Sequence, residues 1–246
     1  MRVKGLTIVV PMMSRRRLQI CYNIPFSPLD YEGRQNANFV GREYLLEQLQ
    51  ATINAGIGAK MIEVVLYGMG GIGKTQIALK YVDRHHQEYS SVFWINAASE
   101  QTLRLGFVHI MQRLIDHHAQ LSDEPDFTEI GRLLDMVGKV DLLGKCSVQR
   151  QEHEQHIVNA VRRWFNNEAN TRWLLVLDNF DDLESFDLDD YTPSGRHGTV
   201  ILTSRRRETL QGRRWLEVCQ MHDSEAESLL IQSANFRFEG LTPDGK

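Results

Sequence analysis

The chain has 246 residues, 42% of them hydrophobic and 24% charged, with a formal net charge of −4. It is long enough to bury a core without disulfide or metal staples, and too mixed for a low-complexity, collagen-like or coiled-coil chain. Mild acidity argues against a general nucleic-acid binder. Residues 1–35 open with Arg2, Lys4, Arg15, Arg16 and Arg17 and no acid among the first 17 positions, and Pro25, Pro28 and Gly33 break any period. They read as a poorly ordered basic arm rather than a targeting presequence, because no long amphipathic helix or small-residue cleavage site follows. The apolar run Leu6 to Met13 is interrupted by Pro11 and is far too short to span a bilayer. Cys21, Cys146 and Cys219 form neither a disulfide framework nor a zinc pattern, so a reducing, cytoplasmic compartment is expected.

From Phe39 a periodic pattern begins. Leu45, Leu46, Leu49 and Ile53 predict a helix over 42–54, ended by Gly56 and Gly58. Glu63 to Tyr67 reads as a buried strand, followed by a glycine-rich turn and a helix whose inner face carries Ile77, Ala78, Tyr81 and Val82. Val92 to Ile95 is a second strand. Leu103, Phe107, Ile110, Met111, Leu114 and Ile115 mark a long amphipathic helix. Polar connections at 119–129 and 138–152 flank a shorter helix near 128–137. Ile157, Val161, Trp164 and Phe165 mark the next helix. Trp173 to Leu177, Thr199 to Leu202 and Leu216 to Val218 are a third, fourth and fifth strand, and a final helix covers about 223–235. Strands alternating with helices predict an α/β domain, a parallel sheet with helices on both faces.

The turn after the first strand reads Gly68-Met69-Gly70-Gly71-Ile72-Gly73-Lys74-Thr75, which fits G-x-x-x-x-G-K-[ST] at every fixed position. Average composition produces such a match by chance about once in 30,000 windows, so the motif is taken as real. A phosphate chain needs several backbone N–H donors converging on it, and glycines let the backbone curl that tightly. The helix opening at Lys74 offers further unsatisfied N–H groups and partial positive charge; Gln76 lies in that first turn. Lys74 adds a full charge for the β- and γ-phosphates, and the Thr75 hydroxyl suits Mg²⁺. The third strand ends in Asp178, where a carboxylate at the carboxyl edge of the sheet can also hold Mg²⁺. Asn179-Phe-Asp181-Asp182 follows, and either acid could position a water for hydrolysis. The fourth strand leads into Thr203-Ser204-Arg205, and Arg205 could contact a γ-phosphate.

These blocks, in this order, resemble the NB-ARC class of signal-transduction P-loop ATPases (the STAND group), the nucleotide-binding core of NOD-like receptors. Phe39-Val40-Gly41-Arg42-Glu43 looks like the motif ahead of the first strand, which implies that the Val40 backbone meets adenine and that Arg42 lies beside the nucleotide. Phe93-Trp-Ile-Asn96 resembles the second strand, Trp173–Asp178 the Walker B strand, Thr203-Ser-Arg205 the sensor, and the stretch from Met221 to Leu230 the block after the fifth strand. Leu-Asp-Asn-Phe-Asp-Asp is most similar to fungal members. The resemblance covers about 39–235 and implies a three-layer P-loop NTPase sandwich with a central, mainly parallel five-stranded sheet over 36–236, followed by a tail at 237–246. It implies ATP or ADP with Mg²⁺ as ligands, and roles in signal transduction such as innate immunity and heterokaryon incompatibility. It also implies that the sensor strand lies between the first strand and the Walker B strand, aiming Arg205 at the γ-phosphate. No guanine signature of the Asn-Lys-x-Asp type is present.

The chain departs from this family in two ways. Many members carry a second acid directly after the Walker B aspartate; here Asn179 stands there, which predicts slow or absent hydrolysis. No Gly-x-Pro block follows residue 235, and Gly240-Leu-Thr-Pro243 comes too early to serve as one. A core truncated after the sensor and its following helix is therefore expected. One wall of the cleft would be open, with an apolar face for a protein partner or self-association and no membrane or nucleic-acid partner. The alternatives are an AAA-like ATPase with steady turnover and a truncated module that binds nucleotide without switching. Met221-His222-Asp223 spells the family's ADP-sensing triplet but far too early in the chain, and is read as coincidence. The acidic run through Glu184, Asp187, Asp189 and Asp190 and the pairs His85-His86 and His117-His118 are read as solvated, Trp94 and Trp173 as core, and the cysteines as inert thiols.

Overall fold

A computed structural model describes residues 19–25, 39–56, 60–146, 151–182 and 184–239. The arginines and lysine of the basic arm, Pro28, Gly33, Gly58 and the Gly240–Pro243 stretch lie outside them. The elements in chain order are α1 (Glu43–Asn54), β1 (Ile62–Tyr67), α2 (Lys74–His85), β2 (Ser91–Asn96), α3 (Glu100–Gln120), α4 (Phe127–Leu133), α5 (Gln151–Phe165), β3 (Trp173–Asp178), β4 (Thr199–Ser204), β5 (Arg214–Glu217) and α6 (Asp223–Glu239).

All pairings in the sheet are parallel and its order is β2-β3-β4-β1-β5. The sensor strand β4 thus lies between β1 and β3, as the resemblance implies. The strands are apolar almost throughout because both faces are covered. Alternation along each strand divides the core in two. Val65, Phe93, Ile95, Leu175, Leu177, Val200 and Leu202 face α3, α4 and α5. Val64, Leu66, Val92, Trp94, Leu174, Val176 and Ile201 face α1 and α2. The result is a three-layer α/β sandwich. Trp173 and Trp94 are both core residues, 0% and 9% exposed.

Local sequence explains most boundaries. Ser99 and Thr102 form a reciprocal capping box at the start of α3, which satisfies two orphan donors. α4 is shorter than the expected 128–137. The chain turns at Asp135, whose φ is 58°, and Met136 folds back to bond Gly131 O at 2.6 Å and bury itself fully. β5 starts two residues earlier than expected and is a largely exposed edge, with Trp215 half-exposed.

Within the expected basic arm, residues 19–25 pack on the domain. Ile24 joins the core, Cys21 donates its backbone N–H to His118 Nε2 at 3.0 Å, and Trp164 Nε1 donates to Cys21 O at 3.3 Å. This corrects two expectations. His118 is not a solvated helix-end residue but is fully buried, donating Nδ1–H to Leu114 O at 2.7 Å, because this segment covers the end of α3. Cys21 Sγ, far from any base in sequence, lies 3.4 Å from His117 Nε2.

Candidate functional site

Four strands of six residues run in parallel and end within one residue of each other, so their last residues form one edge. The register sets Asn96 beside Asp178 and Tyr67 beside Ser204, and one step beyond Leu177 and Leu202 it brings Asp178 to Thr203. Gly68 to Gly73 leaves β1 at this edge and turns into α2. A Cβ on Gly68 would lie 2.5 Å from Val218 O, and Gly73 holds φ 102° at the N-cap of α2. Neither position accepts another residue without strain. No side chain caps α2, so its first N–H groups remain for an anion.

The cleft over this loop holds about 570 Å³ and is lined by Gly70, Gly71, Gly73, Lys74, Thr75, Gln76, Ala98, Asn179, Asp181, Thr203 and Arg205. That size suits a small-molecule ligand. A larger hollow of about 1040 Å³ lies at the opposite, amino end of the sheet between Lys60–Glu63 and Thr192–Arg196. Its Arg213 is tied to Glu63 and Asp189, and its described lining includes none of the residues Gly68–Thr75. The smaller cleft is therefore the functional candidate.

Lys74 is 9% exposed and its Nζ donates to Gly68 O and Met69 O, both at 2.8 Å. Burial pulls its pKa below the usual lysine value, while the Asp181 and Asp178 charges push it back up. Thr75 Oγ1 donates to Asp178 Oδ1 at 2.8 Å, and Thr203 Oγ1 donates to the same oxygen at 2.5 Å. Thr203 Oγ1 in turn accepts the Asn179 N–H at 2.9 Å. Asn179 has φ 68°, a left-handed conformation that asparagine tolerates better than most residues. Its Nδ2 donates to Asn96 Oδ1 at 3.3 Å. A hydroxyl and a carboxylate meeting at one point are hard oxygen donors of the kind Mg²⁺ takes alongside phosphate oxygens, so Thr75 and Asp178 fit that ion.

The other predicted residues divide. Asp181 and Arg205 line the cleft together, joined by Arg205 Nε to Asp181 Oδ2 at 2.6 Å. Asp182 instead closes an exposed turn, accepting the N–H groups of Glu184 and Ser185. Hydrogen bonding to Ser185 holds its carboxyl below the usual range. Val40 is half-buried and Arg42 is 4% exposed, and neither lines the cleft. The Arg42 guanidinium donates to Cys219 O at 2.7 Å and to Ile72 O at 3.5 Å, linking the start of α1 to the glycine loop and to the segment after β5. Its backbone N–H donates to Glu225 Oε1 at 2.7 Å, the main reason that carboxyl is held low. Met69 is 72% exposed and Ile72 packs on the α1–α2 core. His222 lies beside Tyr44, at a ring-centroid distance of 6.5 Å, and outside the cleft. The resemblance places Thr203 in the sensor segment and Asn96 in the second strand, but implies no role for either side chain. The signal present in the sequence is that a polar residue, Asn96, Asp178 or Thr203, directly follows each of three of the apolar runs.

Residues 38–191 match the AAA ATPase domain family. A nucleotide-binding leucine-rich repeat (NLR)-like protein of Hyaloscypha variabilis is 26% identical over 97% of this chain. The chain spans 22% of that relative's length. Among the described residues no helix is long and apolar enough to cross a membrane.

Proposed function

The chain belongs to the AAA ATPase domain family, and from that premise we propose that it is the Mg²⁺-dependent ATP/ADP-binding core of an NB-ARC-type signalling switch with slow or absent hydrolysis. The observation that carries this reading is the Thr75–Asp178–Thr203 cluster, set against the glycine loop and followed by Asn179 where a water-activating acid would serve a fast ATPase. Similarity to an NLR-like protein supports the signalling part. In such a switch the binding energy of ATP and ADP favours different conformations, and a partner or neighbouring segment reads the difference. Free thiols at Cys21, Cys146 and Cys219 suit a cytoplasmic setting.

Slow turnover separates this reading from an AAA-like enzyme with steady activity. Phosphate release from ATP by the purified chain should run far below the median enzyme rate of about 10 s⁻¹. A steady rate of that order would reject the switch.

Arg205 supplies the second test. It enters the cleft from the end of β4, and a guanidinium there matches phosphate geometry. Arg205→Ala should weaken ATP more than ADP, by about tenfold for a lost charge-assisted contact. Equal losses in a calorimetric titration would remove Arg205 from the γ-phosphate.

A further inference from the structure

Asp181 is one of two acids that could activate water, yet both of its carboxylate oxygens are engaged. Oδ1 accepts the Arg205 backbone N–H at 2.6 Å and Oδ2 accepts Arg205 Nε at 2.6 Å. Ser204 Oγ also lies 3.4 Å from Oδ1. A general base needs an oxygen within reach of the proton it takes, and here both bind one residue. Holding the main chain and the side chain of that residue at once restricts its torsions. The Arg205 side chain is 60% exposed and that of Asp181 only 22%, so the carboxylate is the more fixed partner. The arginine runs across the glycine loop: a Cβ on Gly70 would lie 3.4 Å from Arg205 Cδ and 3.6 Å from its Nη1. With Nε taken by Asp181, the Nη protons are the part of the fork left to meet an anion beside Gly70.

We infer that Asp181 is a positioning residue that holds Arg205 across the phosphate loop and thereby sets the preference for ATP over ADP. This rests on the reading of the cleft as an ATP/ADP site. A long exposed side chain ordered before the ligand arrives loses less freedom on binding, so its contact yields more affinity. Only a γ-phosphate collects that gain, because ADP has no group to place there.

The test is calorimetric titration of ADP and a non-hydrolysable ATP analogue into the whole chain, as wild type, Asp181→Asn, Arg205→Ala and the double variant. Asparagine keeps the shape but replaces the oxygen pair with one acceptor and one donor. Asp181→Asn should lower the ratio of analogue to ADP affinity about fivefold to tenfold, the scale of a lost charge-assisted contact. In the Arg205→Ala background the same change should add almost nothing, as expected for residues acting as one unit. The clamp is overturned by an unchanged or increased ratio, by a full additional loss in the double variant, or by equal losses for both nucleotides. Failure of the wild-type chain to bind either nucleotide would instead sink the reading of the cleft, and the clamp with it.

Discussion

Lys74→Ala should lower the affinity for ATP and ADP by tenfold to about a hundredfold, the largest binding effect expected of any single substitution in the cleft. A charge-assisted contact to phosphate is worth about 1.5–3 kcal/mol, which spans that range. Lys74 also braces the loop, since its Nζ bonds both Gly68 O and Met69 O, so alanine removes the charge and loosens the cradle together. Lys74→Met loses the charge and both of those hydrogen bonds as well, and differs from alanine only in keeping the apolar stem packed. It should therefore bind as poorly as alanine while melting closer to wild type. Isothermal titration checks the affinities and scanning fluorimetry the melting points. Unchanged affinity in either variant would show that nucleotide does not sit on this loop.

Much of the fold was legible because periodicity survives in single strands and helices. Leu45, Leu46, Leu49 and Ile53 lie on the buried face of α1 where their spacing puts them, and the apolar runs at β1 to β4 are four adjacent strands of the sheet, three of them central. The phosphate loop was legible because its chemistry constrains consecutive residues. Partnership across strands was not. Nothing near Thr203 in sequence says that its hydroxyl meets Asp178, because that follows from strand order and register. His118 was misread for the same reason. Its cover comes from residues 19–25, where Ile20, Tyr22 and Ile24 alternate over too short a run, ending at Pro25, to stand out as an element; all three pack on the core, with Tyr22 5.7 Å from the Trp164 ring and the Cys21 backbone bonded to His118. The register of α4 failed where a positive φ at Asp135, a conformation no hydrophobic pattern reports, reverses the chain.

The largest expected stability effect lies at the far end of the sheet from the nucleotide. Gly198 precedes β4 with φ 88°, and a Cβ there would sit 2.0 Å from Trp173 Cε2. Trp173 cannot move aside. It is fully buried, its Nε1 donates to Phe165 O at 3.0 Å, and its ring lies 4.6 Å from that of Phe165. Gly198 O also accepts the Ile62 N–H at 3.1 Å, so the backbone is pinned to the start of β1. Gly198→Ala therefore adds left-handed strain of about 1–3 kcal/mol to overpacking of about 1–3 kcal/mol. For a domain of this size the sum should lower the melting temperature by roughly 10 °C. Trp173→Phe removes the indole edge that the new methyl would strike, so in that background Gly198→Ala should cost visibly less, the coupling expected of residues in contact. The cost also reaches the nucleotide site, because β4 carries Thr203 and Arg205 at its other end. A lifted strand start shifts both against Asp178 and the glycine loop. A fixed concentration of ATP should then raise the melting temperature of Gly198→Ala by less than it raises that of wild type, since stabilisation by a ligand that binds only the folded state grows with the logarithm of its concentration over its dissociation constant. A melting point within about 2 °C of wild type would show that the turn before β4 relaxes freely, and that the packing of Trp173 does not set the position of the sensor strand.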